Sequence, residues 1–335
     1  MRQSALYALD DVVLEVDSQE PGQEIARLLA ELSWVVLRRS DRKPTLYLSV
    51  RSSSGRFSVP QICREALRTD DFLGYELADN FFLTDGSSVF HLRPQLGQAH
   101  ARIVPSFFAK PSIVRTNFWC FGLLKLLRPL GIYSLHGAGL SNTDGEGVLL
   151  IGPSGSGKST LAIGLIRAGW SYLSDDAVFL RAGSESVEAL ACRKSFYIDA
   201  ARSAQYSDFS LGEEEPDANG GQRRRVSINK AYPEQYIAEC SPRVMIFTKI
   251  TARPHSALTP IDRLSALRLL LAQSAPQLFD RSTMPGQLEL LKKLLQQAEI
   301  YQLDAGEDLH LQPAKLVDHI REARGATHCL ASSLS

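Results

Sequence analysis

The chain has 335 residues, 44% of them hydrophobic and 22% charged, a globular composition long enough for roughly two domains. Its 37 basic side chains equal its 37 acidic ones, so no global field favours nucleic acid or an acidic membrane surface, and electrostatic recognition has to be local. Five cysteines (Cys63, Cys120, Cys192, Cys240, Cys329) form no CxxC pair, which argues against a disulfide or zinc framework and for reduced thiols in a cytoplasmic chain.

The opening MRQSALYALDDVVLEV carries acids where a secretory leader needs an apolar core. Over residues 1–110, short alternating runs (LYALDDVVLEV, TLYLSV, NFFLTDGSSVFHL) and one helical pattern, QEIARLLAEL, predict a small α+β domain with no chemistry that can be named. A second domain, 111–335, is expected to open on the apolar run Phe118 to Tyr133. That run contains Lys125, Arg128 and Pro129, too short and too charged for membrane insertion, and is read as a helix packed on a core.

Beyond it, IYSLHGAGL and GVLLIG read as buried strands separated by the turn residues SNTDGEG, TLAIGLIRAGW has helical spacing, and SYLSDDAVFL reads as a third strand. Strand, glycine loop, helix, strand is the order that builds a largely parallel sheet. The polar stretch Asp208 to Gln222, with its acidic run EEEPD, predicts a mobile excursion, after which PRVMIFTKI returns as a buried strand. Two helices (DRLSALRLLLAQ, GQLELLKKLLQQ), a strand (IYQLD), a last helix near PAKLVDHIREA and a frayed end, HCLASSLS, complete the chain.

The stretch GPSGSGKST, Gly152 to Thr160, fits G-x-x-x-x-G-K-[ST] between a predicted strand and a predicted helix. Gly152, Gly155 and Gly157 free the backbone to turn N–H groups onto phosphate oxygens, together with the loop residues Ser154 and Ser156, and the helix terminus adds partial positive charge. Lys158 is placed to bridge the β- and γ-phosphates of ATP, and the Ser159 hydroxyl to bind Mg²⁺. Asp175 and Asp176 close the strand SYLS. In such sheets that strand end faces the phosphate crevice, so one carboxylate can serve the metal while its neighbour takes a proton from an attacking hydroxyl. GGQRRRVSI, Gly220 to Ile228, imitates the signature of transporter-type ATPases, but the next apolar strand ends in Thr248 and Lys249 where that family needs carboxylates.

With HGAGL, the phosphate loop and LSDD in one order, the region from Tyr133 to Leu180 resembles the catalytic core of HPr kinase/phosphorylase and of the HPr-kinase-related proteins that include lasso-peptide precursor kinases. The resemblance implies a phosphoenolpyruvate-carboxykinase-like α/β core beside the smaller N-terminal α+β domain. It also implies Asp175 as base, Asp176 near magnesium, and the pair His136 and Gly137 as the family's His-Gly. Thr160 stands where HPr kinases carry an acidic residue, and their glycine- and asparagine-rich phosphorylase signature has no match after Asp176. The expectation is therefore a kinase without efficient reversal, acting on a serine of a peptide or protein, with a small-molecule hydroxyl or a transporter-type or regulatory ATPase as alternatives. His136 is expected at the phosphate or acceptor. Arg223, Arg224 and Arg225 are candidates for gripping the γ-phosphate or an anionic substrate group, because guanidinium binds phosphate in a fork. No nucleic-acid partner is expected, and self-association into a homo-oligomer is left open.

Overall fold

The computed structural model describes residues 3–18, 22–38, 42–55, 60, 62–193, 195–216, 221–274 and 282–332. It is a mixed α/β protein of several sheets and divides into two compact units, residues 1–133 with 277–284 and residues 134–276 with 285–335. Among the described residues no helix is long and apolar enough to cross a membrane.

The first unit is built on one nine-stranded sheet. Its elements are β1 (Gln3–Leu9), β2 (Val12–Ser18), α1 (Gly22–Glu31), β3 (Val35–Leu37), β4 (Leu46–Ser52), β5 (Arg64–Arg68), β6 (Leu73–Leu77), β7 (Asn80–Thr84), β8 (Val89–Arg93), β9 (Gln98–Ile103) and α2 (Ser112–Leu127). The runs that alternate in sequence all form strands, and LYALDDVVLEV is a hairpin whose turn puts Asp10 at φ 52°. Helix α1 buries Ile25, Leu28, Leu29 and Leu32, the spacing of one helical face. The apolar run at 118–133 is helical as expected, but α2 belongs to this unit and does not open the second one at residue 111. Its Gly122 meets the sheet so closely that a β-carbon would lie 1.9 Å from the Phe90 ring. The two cations of the run 118–133 are buried: Lys125 faces Glu76 (3.4 Å) and the Phe81 ring, and just past the helix Arg128 donates to Thr283 Oγ1 (3.0 Å).

The second unit contains β10 (Tyr133–Leu135), β11 (Gly137–Ser141), β12 (Gly147–Ile151), α3 (Lys158–Arg167), β13 (Ser171–Ser174), β14 (Val178–Ala182), β15 (Val187–Ala191), β16 (Phe196–Asp199), β17 (Leu211–Pro216), β18 (Gln222–Val226), α4 (Ile228–Ala231), β19 (Glu239–Cys240), β20 (Pro242–Ile250), β21 (Ala257–Pro260), α5 (Arg263–Ala272), α6 (Met284–Gln297), β22 (Glu299–Ala305), α7 (Glu307–Leu311) and α8 (Leu316–Ser332). The central sheet runs β13-β11-β12-β20-β22-β21. Ala138, Leu140, Val148, Leu150, Val244, Ile246 and Leu303 from this sheet form one core with Leu161, Ala162, Ile163, Leu165 and Ile166 of α3.

The sheet is mixed, which corrects the expectation of a largely parallel one. The pairs β12–β20 and β20–β22 are parallel, whereas β11 pairs antiparallel with both β12 and β13. The turn SNTDGEG is the cause. Asn142 Oδ1 accepts from the N–H groups of Asp144 and Glu146 and Gly145 sits at φ 82°, a closure short enough only for a hairpin. Strand β13 thus lies one strand away from β12 yet points the same way, so its carboxyl end still reaches the loop. Two other expectations change. The stretch Asp208 to Gln222 supplies β17 and leads into β18, the outer and middle strands of a three-stranded sheet, β16-β18-β17; within it, residues 217–220 lie outside the described ones. And α8 continues to Ser332, through most of the segment expected to fray.

Candidate active site

The loop between β12 and α3 keeps the geometry its glycines permit. Gly155 and Gly157 have φ of 80° and 89°, values that β-carbons disfavour. A β-carbon on Gly152 would stand 2.6 Å from Ser156 Oγ and 2.8 Å from the Thr248 carbonyl. The loop is tied to the neighbouring strand: Thr248 Oγ1 donates to Ile151 O (3.3 Å), so the 2.9 Å bond between the two hydroxyls has Ser156 as donor. Ser154 lies exposed on the loop. Thr160, in the first turn of α3, borders a separate cleft with Arg167, Tyr206 and His310, so the structure does not group it with the aspartates. On the loop's other flank a cleft of about 400 Å³ is lined by Phe247, Ile250, Leu269, Gln273 and Gln302 among others.

The remaining site residues sit at two strand breaks. IYSLHGAGL is two strands interrupted at His136, and SYLSDDAVFL is two strands interrupted at Asp175, Asp176 and Ala177. Strands β11 and β13 pair in the central sheet, while β10 and β14 pair in a second sheet, β10-β14-β15-β19. Two neighbouring chains therefore change sheets together, and the residues at the change are released from strand pairing to face the loop. Asp176 adopts φ 67° within a tight turn closed from Ala177 N to Asp175 O (2.8 Å), a strained conformation for a residue with a β-carbon.

The breaks are locked to each other and to the loop. His136 Nδ1 donates to the Asp176 carbonyl (2.7 Å), which fixes the tautomer and leaves Nε2 as the acceptor of Lys158 Nζ (3.1 Å). Lys158 Nζ also donates to Gly152 O (2.8 Å) and Pro153 O (2.9 Å). Ser159 Oγ donates to Asp175 Oδ2 (2.7 Å). Asp175 Oδ1 is buried with no hydrogen-bond partner among the described residues. Asp176 Oδ2 accepts from Arg193 Nη1 (2.5 Å) and its Oδ1 lies 3.4 Å from His136 Nδ1.

These contacts separate the two carboxylates. Burial pushes Asp175 up to about 6, with the neighbouring Asp176 adding to the rise and the Ser159 bond opposing it. Burial acts on Asp176 in the same direction, but the cations around it, Arg193 first, with Lys158 and Arg223, outweigh it and hold the group below the usual carboxylate range. Burial, then the Lys158 charge, lowers His136 and keeps it neutral. Burial also lowers Lys158, against the pull of both aspartates.

The donors available beside the loop are hydroxyl and carboxylate oxygens, the set Mg²⁺ takes. Among the described residues no group of three or more His, Cys, Asp or Glu encloses a metal position. The Ser159 hydroxyl and the adjacent Asp175 and Asp176 carboxylates supply such oxygens at one place, so the residues present fit the ion.

The three arginines do not act as a group. Arg224 Nη2 donates to Glu214 (2.6 Å), Arg225 Nε donates to Ser195 Oγ (2.7 Å), and the Arg223 guanidinium lies 4.0 Å from the centre of the Tyr197 ring. They stand on a strand in a sheet, not on a mobile segment. Arg193, Ser174 and Thr248 escaped the sequence reading. Ser174 Oγ accepts from Arg193 N (2.7 Å) and donates to Ala177 O (2.6 Å), so it fixes both the aspartate turn and the start of Arg193. Nothing near Arg193 in the sequence marks it.

No protein-family model matches the chain. Among curated proteins it is 41% identical over 64 residues to an HPr kinase/phosphorylase of Chlorobium chlorochromatii (strain CaD3), 19% of either chain. It is 32% identical over 82 residues to one of Chlorobium phaeobacteroides (strain BS1), 24% of either chain. The chain thus spans about a fifth to a quarter of the curated relatives it matches. Among solved structures it is similar to the Hpr(Ser) kinase/phosphatase from Coxiella burnetii, with 13% identity and a TM-score of 0.34 over 60% of this chain and 95% of that one. Over that matched fifth to quarter, the chain is similar to the HPr kinase/phosphorylases, the family its three ordered motifs resemble.

Proposed function

We propose that this protein is an ATP-dependent kinase that transfers the γ-phosphoryl group to a hydroxyl, that of a serine in a peptide or protein, within a phosphoenolpyruvate-carboxykinase-like core. The observation that carries the reading is the convergence of Lys158, Ser159, His136, Asp175 and Asp176 from a loop and two strand breaks onto one place.

The loop N–H groups from Gly152 to Thr160 and the α3 terminus hold the phosphates. Lys158 gives up its bonds to the Gly152 and Pro153 carbonyls to reach the β- and γ-oxygens. Ser159 and Asp176 would hold Mg²⁺, which would supply neutralising charge to the phosphates. Asp175 is the base. Its Oδ1 has no partner to lose, and a carboxyl whose affinity for protons lies near 6 takes the hydroxyl proton more readily than Asp176, which Arg193 keeps ionised. His136, neutral and with Nε2 able only to accept, exchanges the Lys158 bond for one donated by the acceptor hydroxyl once Lys158 moves; a contact with a phosphate oxygen would require the protonated ring. HPr itself is not assigned as the acceptor. The first unit, residues 1–133 with 277–284, is proposed as a separate α+β module, and the cytoplasm as the site of action.

Incubation with γ-labelled ATP and a lysate of the host tests this. Label is expected in a peptide or protein in proportion to ADP formed, with slow hydrolysis in the absence of acceptor, because a transferase shields its phosphoryl group from water. Label in a small metabolite would identify a small-molecule kinase. Brisk release of free phosphate with no labelled acceptor would overturn the proposal in favour of a transporter-type or regulatory ATPase.

A further inference from the structure

The three-stranded sheet brings a second cationic feature to the site. In the β16–β18 register Tyr197 opposes Arg225 and Asp199 opposes Arg223, so these four side chains share one face. Arg193 belongs to the same neighbourhood, since its charge bears on Tyr197 while its guanidinium bonds Asp176. Of the four arginines here, Arg193 is bonded to Asp176, Arg224 to Glu214 and Arg225 to Ser195.

Arg223 differs. Its guanidinium lies against the Tyr197 ring, which supports a cation on its face and takes up none of its N–H groups. Nε and Nη2 are both buried, and neither has a hydrogen-bond partner among the described residues. These two N–H groups form one edge of the guanidinium, the edge that binds a carboxylate or phosphate in a fork. Glu215 stands directly opposite Arg223 in the β17–β18 register, yet no ion pair joins them. Buried N–H donors are normally satisfied, so a buried fork left open invites a ligand.

The charge of Arg223 reaches Asp176 with less effect than that of Lys158, so the fork borders the catalytic residues without belonging to the loop. The nucleotide phosphates already have the loop amides, the α3 terminus and Lys158. A fork delivered from another sheet serves a second anion.

We propose that Arg223, backed by the Tyr197 ring, is the anion receptor of the acceptor site and takes an acidic carboxylate beside the serine that receives the phosphoryl group. The acceptor is then an acidic peptide. This rests on the kinase reading above, and the test keeps the two apart.

The first arm reads binding without catalysis. Acetate and inorganic phosphate are titrated calorimetrically into the protein saturated with Mg²⁺ and a non-hydrolysable ATP analogue, so that the loop is filled. Wild type should bind one further anion. Arg223→Gln should weaken that step roughly 10- to 100-fold, Arg223→Lys should weaken it less, and affinity for the analogue should stay within about threefold, since the loop contacts are untouched. No second anion in wild type, or equal binding in Arg223→Gln, overturns the proposal. So does a loss of analogue affinity in Arg223→Gln, which would give Arg223 to the γ-phosphate. If wild type fails to bind the analogue, the kinase reading falls, and the same titration without nucleotide still decides whether Arg223 holds an anion. The second arm compares single-serine peptide libraries that carry Asp, Asn or Lys beside the serine. Wild type should favour Asp through KM, and Arg223→Gln should erase the preference; a preference that survives the substitution overturns the proposal.

Discussion

The phosphate loop and the strand breaks beside it assemble one site by opposite means. In the loop, every participant from Gly152 to Ser159 is a neighbour in sequence, and the proposed phosphate ligands are mainly backbone. At the breaks, His136 meets the Asp176 carbonyl across 40 positions, and what matters is that two strands leave their sheet at the same level. A local device announces itself as a motif. A device made by topology is a pair of polar residues in apolar runs until the fold is known. The two also differ in how they fail: the loop should lose function through one side chain, and the breaks through the protonation and setting of several.

The largest effect is expected at Lys158, where both regions meet. Lys158→Ala removes the partner of His136 Nε2 and the charge proposed to bridge the β- and γ-phosphates, so phosphoryl transfer should fall on the order of 10³-fold or more. Transfer at an undiminished rate by a folded variant would sink the nucleotide assignment. Next comes Asp175→Asn, which keeps shape and can still accept from Ser159 but cannot take a proton. Transfer should drop roughly 10² to 10⁴-fold with Mg·ATP still bound. If nucleotide binding collapses instead, Asp175 is the metal-side carboxylate and the roles of the pair are reversed.

The strand breaks also set a pH dependence on the acid side of neutrality. Asp175 binds its proton up to about pH 6 in the native chain, above the usual carboxylate range, so the native state holds more protons than the unfolded one between about pH 4 and 6. Stability contributed through this group therefore falls as pH rises across that window and stays low above it. Asp175→Asn abolishes the penalty. The nucleotide-free variant should be more stable than wild type at pH 8, by on the order of 3 kcal/mol, and the gain should vanish below pH 4. Denaturant titrations at the two pH values check this; an equal difference at both would mean that the burial of Asp175 stores no charge penalty. In wild type, kcat/KM should lose activity as pH falls through about 6, where the free enzyme's base becomes protonated.

What could be read from sequence follows the same division. The strands and helices flanking the loop, and the loop itself, were legible because periodicity and glycine spacing are local. The paired aspartates and His136 were legible as candidates. Their mutual lock was not, because HGAGL and LSDDAVF look like uninterrupted strands when only polarity is read. The mixed sheet has a local cause that polarity alone does not reveal: Asn142 and Gly145 make SNTDGEG a hairpin turn. Arg193 was invisible because it reaches Asp176 only after β15 folds back on β14. The RRR run illustrates the reverse error. It reads as one charge cluster, yet alternation along β18 sends Arg224 to the opposite face from Arg223 and Arg225.

The smallest expected effect asks whether the loop is as self-contained as its motif suggests. Ser156 and Thr248 are both buried, and their hydroxyls join the loop to β20, with Thr248 donating on to Ile151 O. Thr248→Val keeps the volume but leaves the Ser156 donor buried without a partner, which should cost about 1 to 2 kcal/mol. Ser156→Ala alone should cost less, since Thr248 keeps its bond to Ile151 O. If strand β20 helps to hold the loop, the double variant should be more stable than the sum of the two losses predicts, because no orphaned donor remains. Additive losses would mean that the glycines hold the loop unaided and that the hydroxyl pair is incidental. Nucleotide affinity measured on the same three variants extends the test: a loop held from β20 should lose affinity in step with the coupling, whereas a loop held by its own backbone should bind equally well in all three.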